Sequence, residues 1–228
     1  MARQIILKGC VLTSLLVPRS VTREHILTLE PFQGLKLSEI IVPETPQALA
    51  NARATLLDSV YLGFDTEVRP FFKKGEPLRG PDVVQFSTLS QAYVLQLRVV
   101  EHRELAKVVL ASGSVVKVGF DLHHDQQQLM RALGVHARPL LDLDVIFNAR
   151  GYPRTLGVRA AVALLFNRRF TKSKRVTTSN WSVKVLDPKQ ILYAGNDAFA
   201  ARAVLEKLAL NHADLPIWAE GRPPLRIR

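Results

Sequence analysis

Residues 60–68 read VYLGFDTEV. Both ends of the run are apolar and β-prone, the pattern of a strand inside a sheet. Asp65 and Glu67 stand within it, two residues apart. Side chains at i and i+2 of a strand point to the same face. A chain that buries this run must therefore hold two carboxylates on one side of a central strand. In a low-dielectric interior that pair is costly unless positive charge lies between its members. The fold is thus confined to arrangements that bring a counter-charge to this strand.

The surrounding sequence supplies a sheet. DVVQFSTLS (82–90) and AYVLQLR (92–98) read as further strands, with the polar turn FKKGEPLRGP before them and Ser90–Gln91 closing a hairpin between them. SVVKVGF (114–120) reads as a short buried strand, and RPLLDLDVIF (138–147) as a strand leading into a helix. Helices are expected in VTREHILTLEP, at 45–57 behind Thr45 and Pro46, and at 101–111. Three more are expected at 125–134, between an N-capping Asp125 and a terminating Gly134, at 155–166, and at 187–210 behind Asp187 and Pro188. Three antiparallel strands followed by alternating helices and strands predict an α/β fold. Its mixed β-sheet, three antiparallel strands plus parallel ones, carries helices on both faces. No internal repeat or low-complexity tract interrupts the 228 residues, and one domain is expected.

The net charge of +11 suits a polyanionic partner such as nucleic acid, although many basic proteins are merely soluble. No stretch is long and apolar enough for a membrane-spanning helix, so no membrane partner is expected. The start, MARQIILKGCVLTSLLVPRS, is interrupted by Lys8 and reads as mature sequence. The single cysteine, Cys10, excludes an internal disulfide framework and a cysteine zinc site. It fits a reducing, cytoplasmic setting.

Further acids fall at informative places. Asp125 follows the strand at 114–120, and Asp197 lies four residues after Tyr193 in the last helix. Residues i and i+4 of a helix share a face, so the Tyr193 hydroxyl and the Asp197 carboxylate point to one place. Converging carboxylates repel one another unless cations are bound, and oxygen-only sets suit Mg²⁺ or Mn²⁺. Two such ions, about 4 Å apart, clamp the attacking and leaving oxygens of a phosphodiester. A nearby tyrosine hydroxyl can aim the attacking water. Taken singly, each fragment has a blander reading: D-x-E as partly exposed acids at a sheet end, Asp125 as an N-cap, Tyr193 and Asp197 as helix surface. Their order and context together favour the metal reading.

These segments resemble the three motifs of the DEDDy 3′–5′ exonucleases: GFDTE, then VGFDLHHDQQQLMRALGV, then KSKRVTTSNWSVKVLDPKQILYAGNDAFAARAVL. That superfamily holds ribonuclease D, the exonuclease domain of the Werner syndrome helicase and the proofreading domain of family A DNA polymerases. The last segment, SNW followed by a proline-started helix with Y-A-x-x-D-A, carries the most specific match. The resemblance covers about 55–210 and implies a ribonuclease H-like fold. It implies a catalytic set of Asp65, Glu67, Asp125, Tyr193 and Asp197, with two divalent ions, Mg²⁺ or Mn²⁺, held by the four acids. In the second motif Asp121 and Asp125 compete. Similar proteins often have glycine at the place of Asp121, and Asp125 with Leu129 matches their D-x-x-x-L, so Asp125 is preferred. The Y-x-x-x-D spacing marks the tyrosine branch. The implied activity is release of nucleoside 5′-monophosphates from a nucleic-acid 3′ end, in DNA or RNA.

Around this set, RRFTKSKRVTTSNWSVK (168–184) holds six basic residues and no acid. Arg168, Arg169, Lys172, Lys174 and Arg175 are candidates for phosphate contacts. Trp181 is a candidate for base stacking, with packing beside the site the favoured alternative. Phe71, Phe72, Lys73 and Lys74, and more weakly Gln85 and Phe86, are candidates for contact with the terminal nucleotide. His123 and His124 read as neighbours on a loop or strand end, one of them a candidate for a phosphate contact. Asp142 and Asp144 read as structural acids. The division expected is an N-terminal extension packed on the domain (1–50), the exonuclease domain (51–212) and a C-terminal tail (213–228). Two rival readings stand beside the enzyme: a non-catalytic nucleic-acid-binding module on a ribonuclease H-like scaffold, and a structural α/β protein without metals. The complete acid set argues against the first.

Overall fold

The structure, a computed structural model, describes residues 21–70, 80–153 and 155–218. Cys10, Phe71, Phe72, Lys73 and Lys74 lie outside the described residues. One sheet is formed by β1 (Ile40–Ile41), β2 (Tyr61–Glu67), β3 (Val83–Ser87), β4 (Ala92–Gln96), β5 (Val116–Gly119) and β6 (Leu140–Asp142). Their order is β1-β4-β3-β2-β5-β6. β3 runs antiparallel to both of its neighbours, β2 and β4, and β5 and β6 continue the sheet in parallel with β2. β1 adds a two-residue parallel edge on β4, too short for any periodicity to announce. The acid-bearing run is thus a central strand of a mixed sheet, as its pattern predicts.

The helices are α1 (Arg23–Thr28), α2 (Pro46–Asp58), α3 (Val100–Ala111), α4 (Leu122–Leu133), α5 (Leu143–Asn148), α6 (Gly157–Phe166), α7 (Lys174–Thr177) and α8 (Pro188–Leu208). Leu62, Phe64, Phe86 and Leu95 line one face of the sheet and pack on Leu56 of α2, Leu105 and Val109 of α3 and Leu129 of α4. The opposite face receives α8, with α5 and α6 beside it. Helices therefore cover both faces. α8 starts sharply because Asp187 and Gln190 form a reciprocal capping box with Pro188 in the first turn. Its buried face is built from Ala194, Gly195, Ala198 and Ala201. Small residues let it lie close to β2. At Gly63 a Cβ would stand 1.9 Å from the Ala198 carbonyl oxygen, so glycine is required at this crossing.

One helix start departs from expectation. α4 begins at Leu122, with Asp121 as the residue before it and Asp125 inside the first turn; Asp125 is not an N-cap. Asp121 adopts a left-handed conformation with φ 53°, which turns the chain from β5 into the helix. Aspartate is among the few non-glycine residues that tolerate this region. Here lies the physical reason a glycine suits the position. His123 and His124 accordingly sit on exposed turns of α4, not on a loop. Gly134 ends α4 with φ 68°, as predicted.

Candidate metal centre

Alternation along β2 sends Leu62 and Phe64 to one face and Gly63, Asp65 and Glu67 to the face beneath α8. α8 brings Asp197 down onto the same place. One carboxylate oxygen each from Asp65, Glu67 and Asp197 lie within 4.8 Å of one another. Glu67 and Asp197 are only 7% and 3% exposed. The counter-charge required by β2 is partly supplied by Lys172, whose Nζ stands 2.9 Å from Asp197 Oδ2 and 5.8 Å from the centre of the Tyr193 ring. This contact is a charge pair. Neither Asp197 oxygen has an aligned hydrogen-bond donor among the described residues.

The electrostatics follow from this crowding. Burial and the Asp197 carboxylate push Asp65 up to about 8, and burial and Asp65 push Glu67 up to about 9. Burial also raises Asp197, against the pull of Lys172. For Lys172 itself burial works against the ammonium, but the Asp197 and Asp65 carboxylates outweigh it and hold the side chain above its ordinary range. Burial and Asp197 raise Tyr193, whose hydroxyl accepts a hydrogen bond from Thr177 Oγ1 at 3.0 Å. Tyr193 therefore keeps its proton at neutral pH and is a donor, not a base.

Asp125 stands outside the group of three. Its Oδ1 accepts a hydrogen bond from Thr66 Oγ1, and burial raises it to about 6. Thr66, between the two acids of β2, also donates its backbone N–H to Asp65 Oδ1 at 2.9 Å. One residue thus ties the first acidic motif to the second. Gln85 lies directly across from Asp65 in the β2–β3 ladder, fully buried, with neither amide atom partnered among the described residues. An all-oxygen set of three close carboxylates, with no aligned hydrogen-bond donor on Asp197 among the described residues, fits a hard divalent cation.

The other sequence candidates divide. Arg168, Lys174 and Arg175 are exposed on the segment leading to α8, and Lys174 and Arg175 lie on α7. Arg169 is engaged internally: its guanidinium donates to the Leu27 carbonyl and its backbone pairs with residues 30 and 32. Trp181 is fully buried, donates from Nε1 to the Thr177 carbonyl and packs against Tyr193 at 6.0 Å. It supports the tyrosine and presents no face to a base, so packing replaces stacking. Phe86 is likewise buried, stacked on Phe64. Asp142 receives the Leu122 and Asp144 backbone N–H groups, and Asp144 those of Leu156 and Gly157; both fix helix starts. The sequence reading missed Thr66 and Thr177, whose partners are distant in the chain. For Lys172 it foresaw a phosphate contact but not the pairing with Asp197.

A family model described as 3′–5′ exonuclease matches residues 40–212, well over half the chain. The mouse bifunctional 3′–5′ exonuclease/ATP-dependent helicase WRN is 27% identical over 194 residues, which are 84% of this chain and 14% of that protein. The chain thus spans a small part of that relative. Among solved structures, the Nibbler EXO domain of Aedes aegypti superposes with a TM-score of 0.64 at 19% identity, covering 78% of this chain and 91% of that one. Trypanosoma brucei RNase D, in its complex with RNA U12, superposes with a TM-score of 0.64 at 20% identity, covering 83% and 65%. These neighbours establish the ribonuclease H-like exonuclease fold. The chain belongs to the 3′–5′ exonuclease family, hydrolases that act on nucleic acid.

Proposed function

We propose that this chain hydrolyses nucleic acid from the 3′ end and releases nucleoside 5′-monophosphates. The observation that carries the reading is the convergence of Asp65, Glu67 and Asp197 near Tyr193. Asp65, Glu67 and Asp197 would hold one divalent ion, Mg²⁺ or Mn²⁺, and Asp65 with Asp125, directly or through water, a second. When bound, the ions acidify the attacking water and offset charge on the departing oxygen. Water adds to the terminal phosphorus, the bond to the 3′ oxygen of the preceding nucleotide breaks, and that oxygen takes up a proton.

The chain's own groups orient this reaction. The Tyr193 hydroxyl accepts from Thr177 and keeps its own proton, so turned to the attacking water it donates that proton as a hydrogen bond and fixes the water's approach. Trp181 locks the tyrosine ring from behind. Arg168, Lys174 and Arg175 on the rim attract the phosphate backbone, which makes binding salt-sensitive. The RNA complex of the trypanosomal structural neighbour makes RNA a natural first substrate beside DNA. The body that performs the chemistry is taken as 51–212, with the described part of the N-terminal segment, 21–50, packed upon it.

The test is digestion of matched DNA and RNA, labelled at the 5′ end, single- and double-stranded, with and without Mn²⁺. The expected product is a ladder shortening from the 3′ end and mononucleotide 5′-phosphates, absent in Asp65→Asn although that variant keeps its circular dichroism. Undiminished cleavage by Asp65→Asn would refute the reading.

A further inference from the structure

Residues 195 and 196 lie between Tyr193 and Asp197, and both are turned toward the N-terminal segment. A Cβ on Gly195 would stand 2.6 Å from Ile40 Cδ1, so glycine seats that side chain against α8. Asn196 reads a backbone peptide unit in both directions. Its Oδ1 accepts from Leu35 N–H at 2.7 Å, and its Nδ2 donates to the Leu35 carbonyl at 3.1 Å and to the Leu192 carbonyl of its own helix at 2.9 Å. The close approach depends on Gly34, where a Cβ would lie 1.9 Å from Asn196 Oδ1.

The same segment is fixed a second time a few residues earlier. Phe32 N–H donates to the Arg169 carbonyl at 2.9 Å, and Arg169 N–H to the Glu30 carbonyl at 2.8 Å. The Phe32 ring is held edge-on by Phe166 and Phe170, at 5.1 and 6.1 Å, and lies 6.1 Å from Phe199 of α8. Arg169 stands three positions before Lys172, the partner of Asp197. One stretch of chain therefore grips both the helix that bears Asp197 and the segment that bears Lys172. Nearly all of it precedes the residues matched by the family model, 40–212.

We propose that residues 30–40 form a positioning strap for the metal centre. By binding Asn196 and Arg169 at once, the strap fixes the height and rotation of α8 over β2, and with them the distance from Asp197 to Asp65 and Glu67. The proposal rests on the metal-dependent reading above. The strap touches none of the reacting groups. It acts through α8, as outer partners of metal ligands act through the ligands they orient.

The test compares wild type, Asn196→Ala and Gly34→Ala in the full chain. Gly113→Ala is the control, because nothing lies within 4 Å of a Cβ there. Three quantities are read at a temperature where circular dichroism shows every variant folded: amide hydrogen exchange of the peptide spanning Tyr193 to Asp197 without metal, Mn²⁺ affinity by calorimetry, and kcat with KM separately. Expected are faster exchange, Mn²⁺ binding weaker by about 10-fold or more, and a lower kcat at nearly unchanged KM, in both strap variants and not in the control. Unchanged exchange overturns the proposal, because the strap then does not hold α8. Faster exchange with unchanged Mn²⁺ affinity and kcat overturns it too, because the strap then serves stability alone. A wild-type chain that takes up no Mn²⁺ at all strikes the metal-dependent reading itself, and the strap's role with it.

Discussion

At the scale of the residue, Lys172 is the most informative side chain. It reaches a 2%-exposed Asp197 carboxylate while its own side chain keeps 28% of its surface accessible. Its ammonium and a divalent ion draw on the same oxygen, so Lys172→Met should act in opposite directions on the two states. Removing one partner of a buried pair leaves an uncompensated charge; with the lysine partly exposed the cost is about 1–3 kcal/mol. The metal-free Tm should fall, and the rise on adding Mn²⁺ should be larger than in wild type, both read by thermal denaturation. A smaller Mn²⁺ response than wild type would mean that Lys172 supports the ion instead of competing with it. The acids were legible in sequence because strand and helix periods fix which side chains share a face. The pairing of Lys172 with Asp197 and the role of Thr66 were not, since hydroxyl and ammonium partners are chosen by tertiary approach, which leaves no local period. Trp181 was legible as a packing residue, the favoured of its two readings, and its full burial decides between wall and platform.

At the scale of the element, the centre depends on how closely α8 lies on β2. Gly63 sets that distance through its contact with Ala198. Gly63→Ala forces the helix outward and should cost about 1–3 kcal/mol by overpacking, read from urea unfolding. Because the same shift lifts Asp197 away from Asp65 and Glu67, Mn²⁺ affinity should fall in parallel. A variant as stable as wild type with unchanged Mn²⁺ binding would show that the crossing tolerates a methyl group. Most elements could be foreseen: α8 from its capping box and proline, α2 from Thr45 and Pro46, β2 from its apolar run. The start of α4 could not, because the sequence holds two aspartates able to open the helix. Only the left-handed backbone at Asp121 decides between them. The strap was illegible for a different reason. Its regular parts are a single 3₁₀ turn, Leu37–Glu39, and the first residue of β1, and the remainder is held by side-chain amide and aromatic contacts with chain far downstream.

At the scale of the whole molecule, the sheet order and the two helical layers put three acids from opposite ends of the chain into one buried volume, and the pH response follows. Unfolded carboxylates ionise near pH ~4, whereas Asp65 and Glu67 in the metal-free fold are raised to about 8 and about 9. The folded chain then holds more protons than the unfolded one across that window. Their contribution to stability is complete below the unfolded values and is lost as pH rises through the folded ones. Mn²⁺ must displace the same protons, so its affinity should climb as pH rises toward about 8, with protons released on binding. Calorimetry in buffers of different ionisation enthalpy counts them; pH-independent affinity with no proton release would contradict the electrostatic account. The central claim, that these carboxylates gather around divalent ions, is met most directly by anomalous diffraction from crystals grown with Mn²⁺. The account predicts a strong anomalous peak in contact with Asp65, Glu67 and Asp197, with Lys172 withdrawn from Asp197. Density showing Lys172 still paired with Asp197 and no anomalous peak among the three acids would contradict it.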